Sequence, residues 1–145
     1  VSVDEILNVM NKKSGLLGIS KKSSDMRDVM GLADEGDENA ILARDMLVYG
    51  IKKYIGSYAA AMGGVDIIVF TAGIGENNSI VRAMVMEGME FLGAKLDAEK
   101  NKNRGEMVIS TDDSPVTVCV IPTNEEIMIA RDTLDLVTTG KVRDN

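Results

Sequence analysis

The sequence predicts an α/β fold in which parallel strands lie between flanking helices. Two short apolar runs rich in β-branched residues, Val65 to Phe70 and Val116 to Ile121, are set among segments whose apolar residues recur every three or four positions. Unbroken apolar runs suit strands covered on both faces, and strands divided by helices pair in parallel through right-handed crossovers. Both runs end in polar turns, "TAGIGEN" and "IPTNEE", at the end of the sheet where open parallel folds hold their ligands.

The elements follow in order. Ser2-Val3-Asp4-Glu5 fits the S-x-x-E capping box, in which a serine and a glutamate three residues on satisfy each other's free amides. Ile6, Leu7, Val9 and Met10 give that helix an apolar side, and Gly15 is expected to stop it. "GLLGIS" reads as an apolar connector. "SSDMRDVMGLADEGD" reads as a short helix capped by Ser23 or Ser24, followed by a loop around Gly36. The longest helix runs from Glu38 to Met62, with Ala40, Ala43, Leu47, Ile51, Ile55, Tyr58 and Met62 in one stripe. Gly63-Gly64 ends it. After the first strand, Asn78 to Leu92 reads as a helix that turns Ile80, Val81, Met84, Val85, Gly88, Met89 and Leu92 inward, closed by Gly93. Met84, Met86 and Met89 are packing residues in this reading. "DAEKNKNRGE" is a charged surface loop and "MVIS" a short edge strand. Pro122 breaks the second apolar strand. Thr123 then caps the last helix, with Glu126 completing a second capping box. That helix ends near Gly140, before a frayed tail. Two apolar strands are too few for an independent sheet of this class, so further strands are expected from additional chain or from a partner.

Bulk composition narrows the function. With 145 residues and 45% hydrophobic residues, the chain suits one compact domain or part of a larger protein, not a disordered segment. A start at Val1, directly on a helix cap, is expected of a piece of a longer protein. The net charge of −7, without a long basic run, argues against nucleic acid as a partner. No apolar stretch approaches the roughly 20 residues that span a bilayer. The single cysteine, Cys119, cannot form an internal disulfide, so a reducing, cytoplasmic setting is expected. There is no histidine, which rules out a histidine base, nucleophile or metal ligand supplied by this chain.

The richest stretch is "IIVFTAGIGENNSI". Glycine lets a backbone approach a ligand closely and take positive φ, and a following helix offers free N–H groups to a phosphate or another polar group. Gly73 and Gly75 thus suit a nucleotide or phosphate turn, and equally a tight strand-to-helix turn. Asn78 stands where a dinucleotide fingerprint requires its third glycine, and no Gly-Lys-Ser/Thr follows as in a Walker loop.

The segments "VDIIVFTAGIGENNSIVR" and "VIPTNEEIMIARDT" closely resemble the C-terminal part of the acetate kinase family, and "SGLLGISKKSSDMRDV" and "LDAEKNKNRGE" fit it in the same order. The similarity runs from about Asp4 to Thr133; propionate and butyrate kinases are relatives. The resemblance implies a partial ribonuclease-H-like domain of the actin and sugar-kinase superfamily. Residues 1–145 would be the C-terminal nucleotide-binding domain segment of a longer two-domain kinase whose N-terminal portion is absent. It implies reversible transfer of the γ-phosphoryl group of Mg-ATP to acetate, giving acetyl phosphate and ADP, with ATP/ADP and Mg2+ bound and a homodimer expected. It places Gly73, Ile74, Gly75, Glu76 and Asn77 in the nucleotide site, Asp25, Met26 and Arg27 at the adenosine, and Glu125 as the magnesium-associated acid. An arginine plane can stack on a base, and magnesium takes one or two carboxylates with several waters. Read without the family, Arg27 and Asp25 are better explained as a solvated arginine and a first-turn helix acid, since most surface charges are only solvated. Glu125 fits a first-turn acid that complements the helix dipole. Glu126 is explained by the capping box.

The family's substrate half has no counterpart in this sequence. There is no His-Leu-Gly-Asn-Gly loop and no Arg-Ser-Gly-Asp segment, so no catalytic residue is assigned here. A propionate-preferring kinase, or a stand-alone nucleotide-binding module without catalysis, are the alternatives.

Overall fold

The computed structural model describes residues 1–140. Seven α-helices and three strands are found among them: α1 (Val3–Lys12), α2 (Gly15–Ser20), α3 (Met26–Asp34), α4 (Glu38–Met62), β1 (Ile67–Phe70), α5 (Ala72–Asn77), α6 (Ser79–Met86), β2 (Met107–Val108), β3 (Thr117–Val120) and α7 (Glu125–Thr139). The frayed tail expected beyond Gly140 lies outside the described residues.

The sheet has the order β1-β3-β2. β1 and β3 are parallel, from Ile67 opposite Thr117 to Phe70 opposite Val120, as expected for strands separated by helices. β2, the edge strand expected in "MVIS", runs antiparallel to β3 with Met107 opposite Val120, so the sheet is mixed. The expectation of strands covered on both faces holds for β3, where Val118, Cys119 and Val120 are buried, but not for β1. There Ile68 and Phe70 face the core while Ile67 and Val69 are bare on the opposite face.

α4 has the predicted bounds because both ends are chemically marked. The Asp37 side chain accepts from the Ala40 amide at the start, and Gly63 closes the end with φ +76°. Ala40 and Ala43 are buried, and their small side chains let α2 and α3 pack closely on this helix. Leu47, Ile51 and Ile55 are half-buried, whereas Tyr58 and Met62, expected in the same stripe, are exposed. One core cluster joins Val29 and Met30 of α3, α4, the inner face of the sheet, and Val81, Val85 and Met86 of α6. Met86 and Met89 are buried and Met84 packs at the edge, the packing role expected of them. Burial pushes the Cys119 thiol up, with the charge of Glu106 adding to it, which leaves it an inert core group.

Five local readings need correction. "GLLGIS" is helical, because Leu16 and Ile19 find a partner surface on α4. It follows directly on α1, which ends at Lys12 before Gly15 is reached. The α3 cap is Asp25, not Ser23 or Ser24, because its carboxylate reaches the Arg27 amide. The helix expected over 78–92 stops at Met86, since Gly88 takes φ +76° and a separate 3₁₀ turn covers Glu90–Leu92. Within it Ile80 points outward. Asn124, not Thr123, caps α7 by accepting from the Ile127 amide. The S-x-x-E box at Ser2 and Glu5 is formed in both directions. No helix among the described residues is long and apolar enough to cross a membrane.

Candidate functional site

At the end of β1 the chain enters a helix at once. Thr71 is extended, Ala72 takes φ +57°, and "AGIGEN" then forms α5. The glycine segment is therefore not an open turn, and the left-handed residue it requires is Ala72, not Gly73 or Gly75. The two glycines serve different needs. A Cβ on Gly75 would lie 3.3 Å from the Phe70 carbonyl carbon, so this residue lets α5 close back on the strand end. A Cβ on Gly73 would meet nothing within 4 Å. Its Cα faces open space.

The last four carbonyls of a helix have no backbone partner within it, and here those of Ile74, Gly75 and Glu76 are supplied from nearby. Asn77 Nδ2 donates to Gly73 O at 3.0 Å and the Asn78 amide to Ile74 O at 3.0 Å. The guanidinium of Arg82, one turn into α6, donates from Nη1 to Gly75 O and Glu76 O, both at 2.8 Å. Asn78 Oδ1 then accepts from the Val81 amide and starts α6.

The opposite wall comes from the start of α3. Asp25 Oδ1 accepts from the Arg27 amide at 2.8 Å, and its carboxylate also receives Arg27 Nε and Nη2, the latter at 2.5 Å. The hydrogen bonds from Arg27 hold the Asp25 carboxyl down at about 2, and those same bonds raise Arg27. Met26 between them is buried, while the Arg27 side chain is 88% exposed.

These two walls enclose a cleft of about 640 Å³, within the range of small-molecule sites. Asp25, Met26 and Arg27 line one side and Gly73, Ile74 and Asn77 the other, with Arg104 entering from the loop before β2. The structure thus brings together the two segments singled out from the sequence. Gly75 and Glu76 do not line this cleft. Glu76 turns instead toward the end of β3, where its Oε1 accepts from the Thr123 amide at 2.7 Å. The Thr71 and Thr123 hydroxyls meet beside it at 2.7 Å. A second cleft of about 450 Å³ opens there, lined by Gly73, Glu76, Thr123, Asn124, Glu125 and Glu126. Gly73 borders both clefts, so the ends of the two parallel strands converge on one residue. Among the described residues no group of three or more acidic or thiol side chains is arranged to hold a metal ion.

Sequence reasoning missed Arg104, Arg82 and Asn101. For Arg82 a signal was present: a lone charge among the apolar residues of "SIVRAMVM". It is 1% exposed, and burial lowers its pKa.

A profile of the Acetokinase family matches residues 1–131. The chain belongs to the acetokinase family. This acetokinase chain is 58% identical over 143 residues to a protein of Thermoanaerobacterium thermosaccharolyticum named acetate kinase, a match that covers 97% of the chain and 36% of that protein. The crystal structure of Porphyromonas gingivalis acetate kinase superposes with a TM-score of 0.86 at 48% identity, covering 95% of the chain and 35% of that protein. A propionate kinase from Francisella tularensis superposes with a TM-score of 0.80 at 42% identity, covering 90% of the chain and 33% of that protein. The acetokinase chain therefore spans about a third of the length of the relatives it matches.

Proposed function

We propose that this chain is the C-terminal, nucleotide-binding part of a two-domain acetate kinase that reversibly transfers the γ-phosphoryl group of ATP to acetate, giving acetyl phosphate and ADP. The observation that carries the reading is the convergence of Asp25–Arg27 and Gly73–Asn77 on one cleft, although they lie far apart in the sequence. The cleft suits a nucleotide in three respects. Its volume fits a small molecule, two guanidinium groups enter it, and the bare Cα of Gly73 lets a ligand approach the main chain.

In this reading Arg27 offers its guanidinium plane to the base, with Asp25 fixing the orientation of that plane. Gly73, Ile74 and Asn77 form the facing wall. The phosphates run past Gly73 toward the second cleft and Glu125. The donor set there fits magnesium, because magnesium keeps several waters and needs only one or two carboxylates when phosphate supplies the remaining oxygens. A magnesium ion bound at Glu125 would neutralise charge on the phosphate oxygens. Glu76 has one carboxylate oxygen engaged by the Thr123 amide and so steadies the turn before α7. The acetate-side groups belong to the part of the relatives that this chain does not span.

The test is amide hydrogen exchange with ATP and with acetate. The protein is a full-length kinase in which this chain occupies the matching third of the T. thermosaccharolyticum relative. ATP should slow exchange in both 25–28 and 72–78, and acetate in neither. Absence of protection at both segments would refute the cleft as the nucleotide site. Propionate is the second acceptor to consider, on the strength of the likeness to the F. tularensis propionate kinase. Comparing kcat/KM for acetate and propionate in the protein's own full-length form distinguishes the two.

A further inference from the structure

A guanidinium buried to 1% exposure normally sits against a carboxylate. Arg82 does not. Every hydrogen-bond partner it has among the described residues is a neutral oxygen: Nε donates to Asn101 Oδ1 at 2.8 Å, Nη2 to Asn101 O at 2.6 Å, and Nη1 to the carbonyls of Gly75 and Glu76. Asn101 in turn donates from Nδ2 to Ser79 O at 2.8 Å and is itself buried. Three separate pieces of chain are pinned at this point: the end of α5, the start of α6, and the 3₁₀ turn Lys100–Lys102. The charge is held by carbonyl dipoles, two of them at the negative end of α5. The planar fork of arginine serves all four acceptors at once, which a lysine ammonium cannot do.

The pieces pinned are those that build the cleft. α5 carries Gly73, Ile74 and Asn77, and three residues beyond Asn101 the same loop delivers Arg104 to the cleft. From this we infer that Arg82 and Asn101 are positioning residues: they fix the α5 wall and the Arg104 loop relative to each other, and so set the geometry in which the nucleotide is bound. They touch no ligand themselves. The inference rests on the nucleotide reading of the cleft, and its test separates the two.

In the same full-length kinase, Arg82→Lys, Arg82→Met, Asn101→Ala and the double variant Arg82→Lys/Asn101→Ala are compared with Arg27→Ala. The KM for ATP should rise about tenfold or more in the single positioning variants, as expected when binding groups are displaced by a fraction of an ångström. The KM for acetate should stay within about twofold, because the acyl groups are not displaced. The double variant should be little worse than Arg82→Lys, since both changes break one network. If Arg82→Met does not fold, Arg82→Lys and Asn101→Ala carry the test. A lowered melting temperature with an unchanged KM for ATP, or an equal rise in both KM values, would overturn the inference and leave Arg82 as a structural brace. Arg27→Ala serves as the control. If it raises the KM for ATP while the Arg82 and Asn101 variants do not, only the positioning role fails. If it too has no effect, the cleft is not the nucleotide site and both readings fall.

Discussion

Substituting the two glycines of α5 by alanine should move stability in opposite directions, and only one substitution should block the cleft without harming the fold. At Gly73 an added Cβ meets nothing within 4 Å and the backbone is already helical. Alanine is favoured over glycine in a helix by up to about 1 kcal/mol, and near a helix start about half of that is expected. With an unfolding entropy of about 2.1 cal/mol/K per residue, a chain of this size has roughly 0.3 kcal/mol/K in total, so the gain is about 2 °C in Tm. At Gly75 the new Cβ would stand 3.3 Å from the Phe70 carbonyl carbon and 3.6 Å from its Cα. A backbone neighbour yields little, and overpacking costs about 1–3 kcal/mol. Set against a propensity gain of up to about 1 kcal/mol, the net loss is about 1 kcal/mol, or about 3 °C. Thermal melts of the 145-residue chain followed by circular dichroism measure both. The KM for ATP is read in the full-length kinase, where Gly73→Ala should raise it despite the higher Tm, and Gly73→Val should raise it further. An unchanged KM for ATP in Gly73→Val would refute the argument that the bare Cα faces the nucleotide. A Tm for Gly73→Ala as low as that of Gly75→Ala would refute the packing argument itself.

The remaining predictions concern charge and completeness. Arg27→Ala should raise the KM for ATP and leave that for acetate nearly unchanged; an equal rise in both would assign Arg27 to the fold. Glu125→Gln should depress turnover strongly and shift the magnesium requirement, whereas loss of a helix-dipole contact alone would cost only about 0.3–1 kcal/mol of stability. Wild-type turnover at low magnesium would exclude the metal role. The Asp25 carboxyl is held at about 2, below its ordinary 3.8. Its contribution to stability is therefore complete above about pH 4 and lost as the pH falls toward 2. Both partners are exposed, so the effect should be small and weakened by salt. An acid-titration limb that persists unchanged in Asp25→Asn would show that other carboxylates carry it. The 145-residue chain by itself should show no acetate-dependent ADP production, because phosphoryl transfer needs cations and an acceptor held in line. Turnover within about tenfold of the full-length kinase would contradict that.

What the sequence revealed was set by the range of the forces involved. α4 was legible because its apolar residues recur every three or four positions and the Gly63-Gly64 pair acts locally on its end. The parallel pairing of β1 with β3 was legible because apolar strands divided by helices leave few other arrangements. α2 was missed because its glycines weaken local propensity, and only the surface of α4, supplied from elsewhere in the chain, makes Leu16 and Ile19 helical. α5 was missed for a related reason. Two glycines in six residues read as a turn, while the carbonyl partners that hold the helix come from Asn77, Asn78 and Arg82. The meeting of Asp25–Arg27 with Gly73–Asn77 came from the family resemblance. Pattern alone left Asp25–Arg27 as a solvated helix start, and offered Gly73 and Gly75 equally as a nucleotide or phosphate turn and as a tight strand-to-helix turn. Arg104 and Asn101 sat in a loop whose charge suggested only solvent, and nothing local marks one buried amide among lysines.

Arg27 has a further consequence that follows from how Asp25 holds it. The carboxylate occupies the Nε and Nη2 edge of the guanidinium, so the donors on that edge are already engaged before any ligand arrives. A ligand oxygen seeking that edge would have to compete with an aspartate whose proton affinity is already depressed. The flat face of the group carries no such competitor from Asp25. Recognition through a face responds to the area and polarisability of a ring, not to the pattern of donors and acceptors around its rim. An exposed arginine latched in this way would favour purines over smaller rings and discriminate weakly between adenine and guanine. Any strict choice between those two bases would have to be made by another group in the cleft.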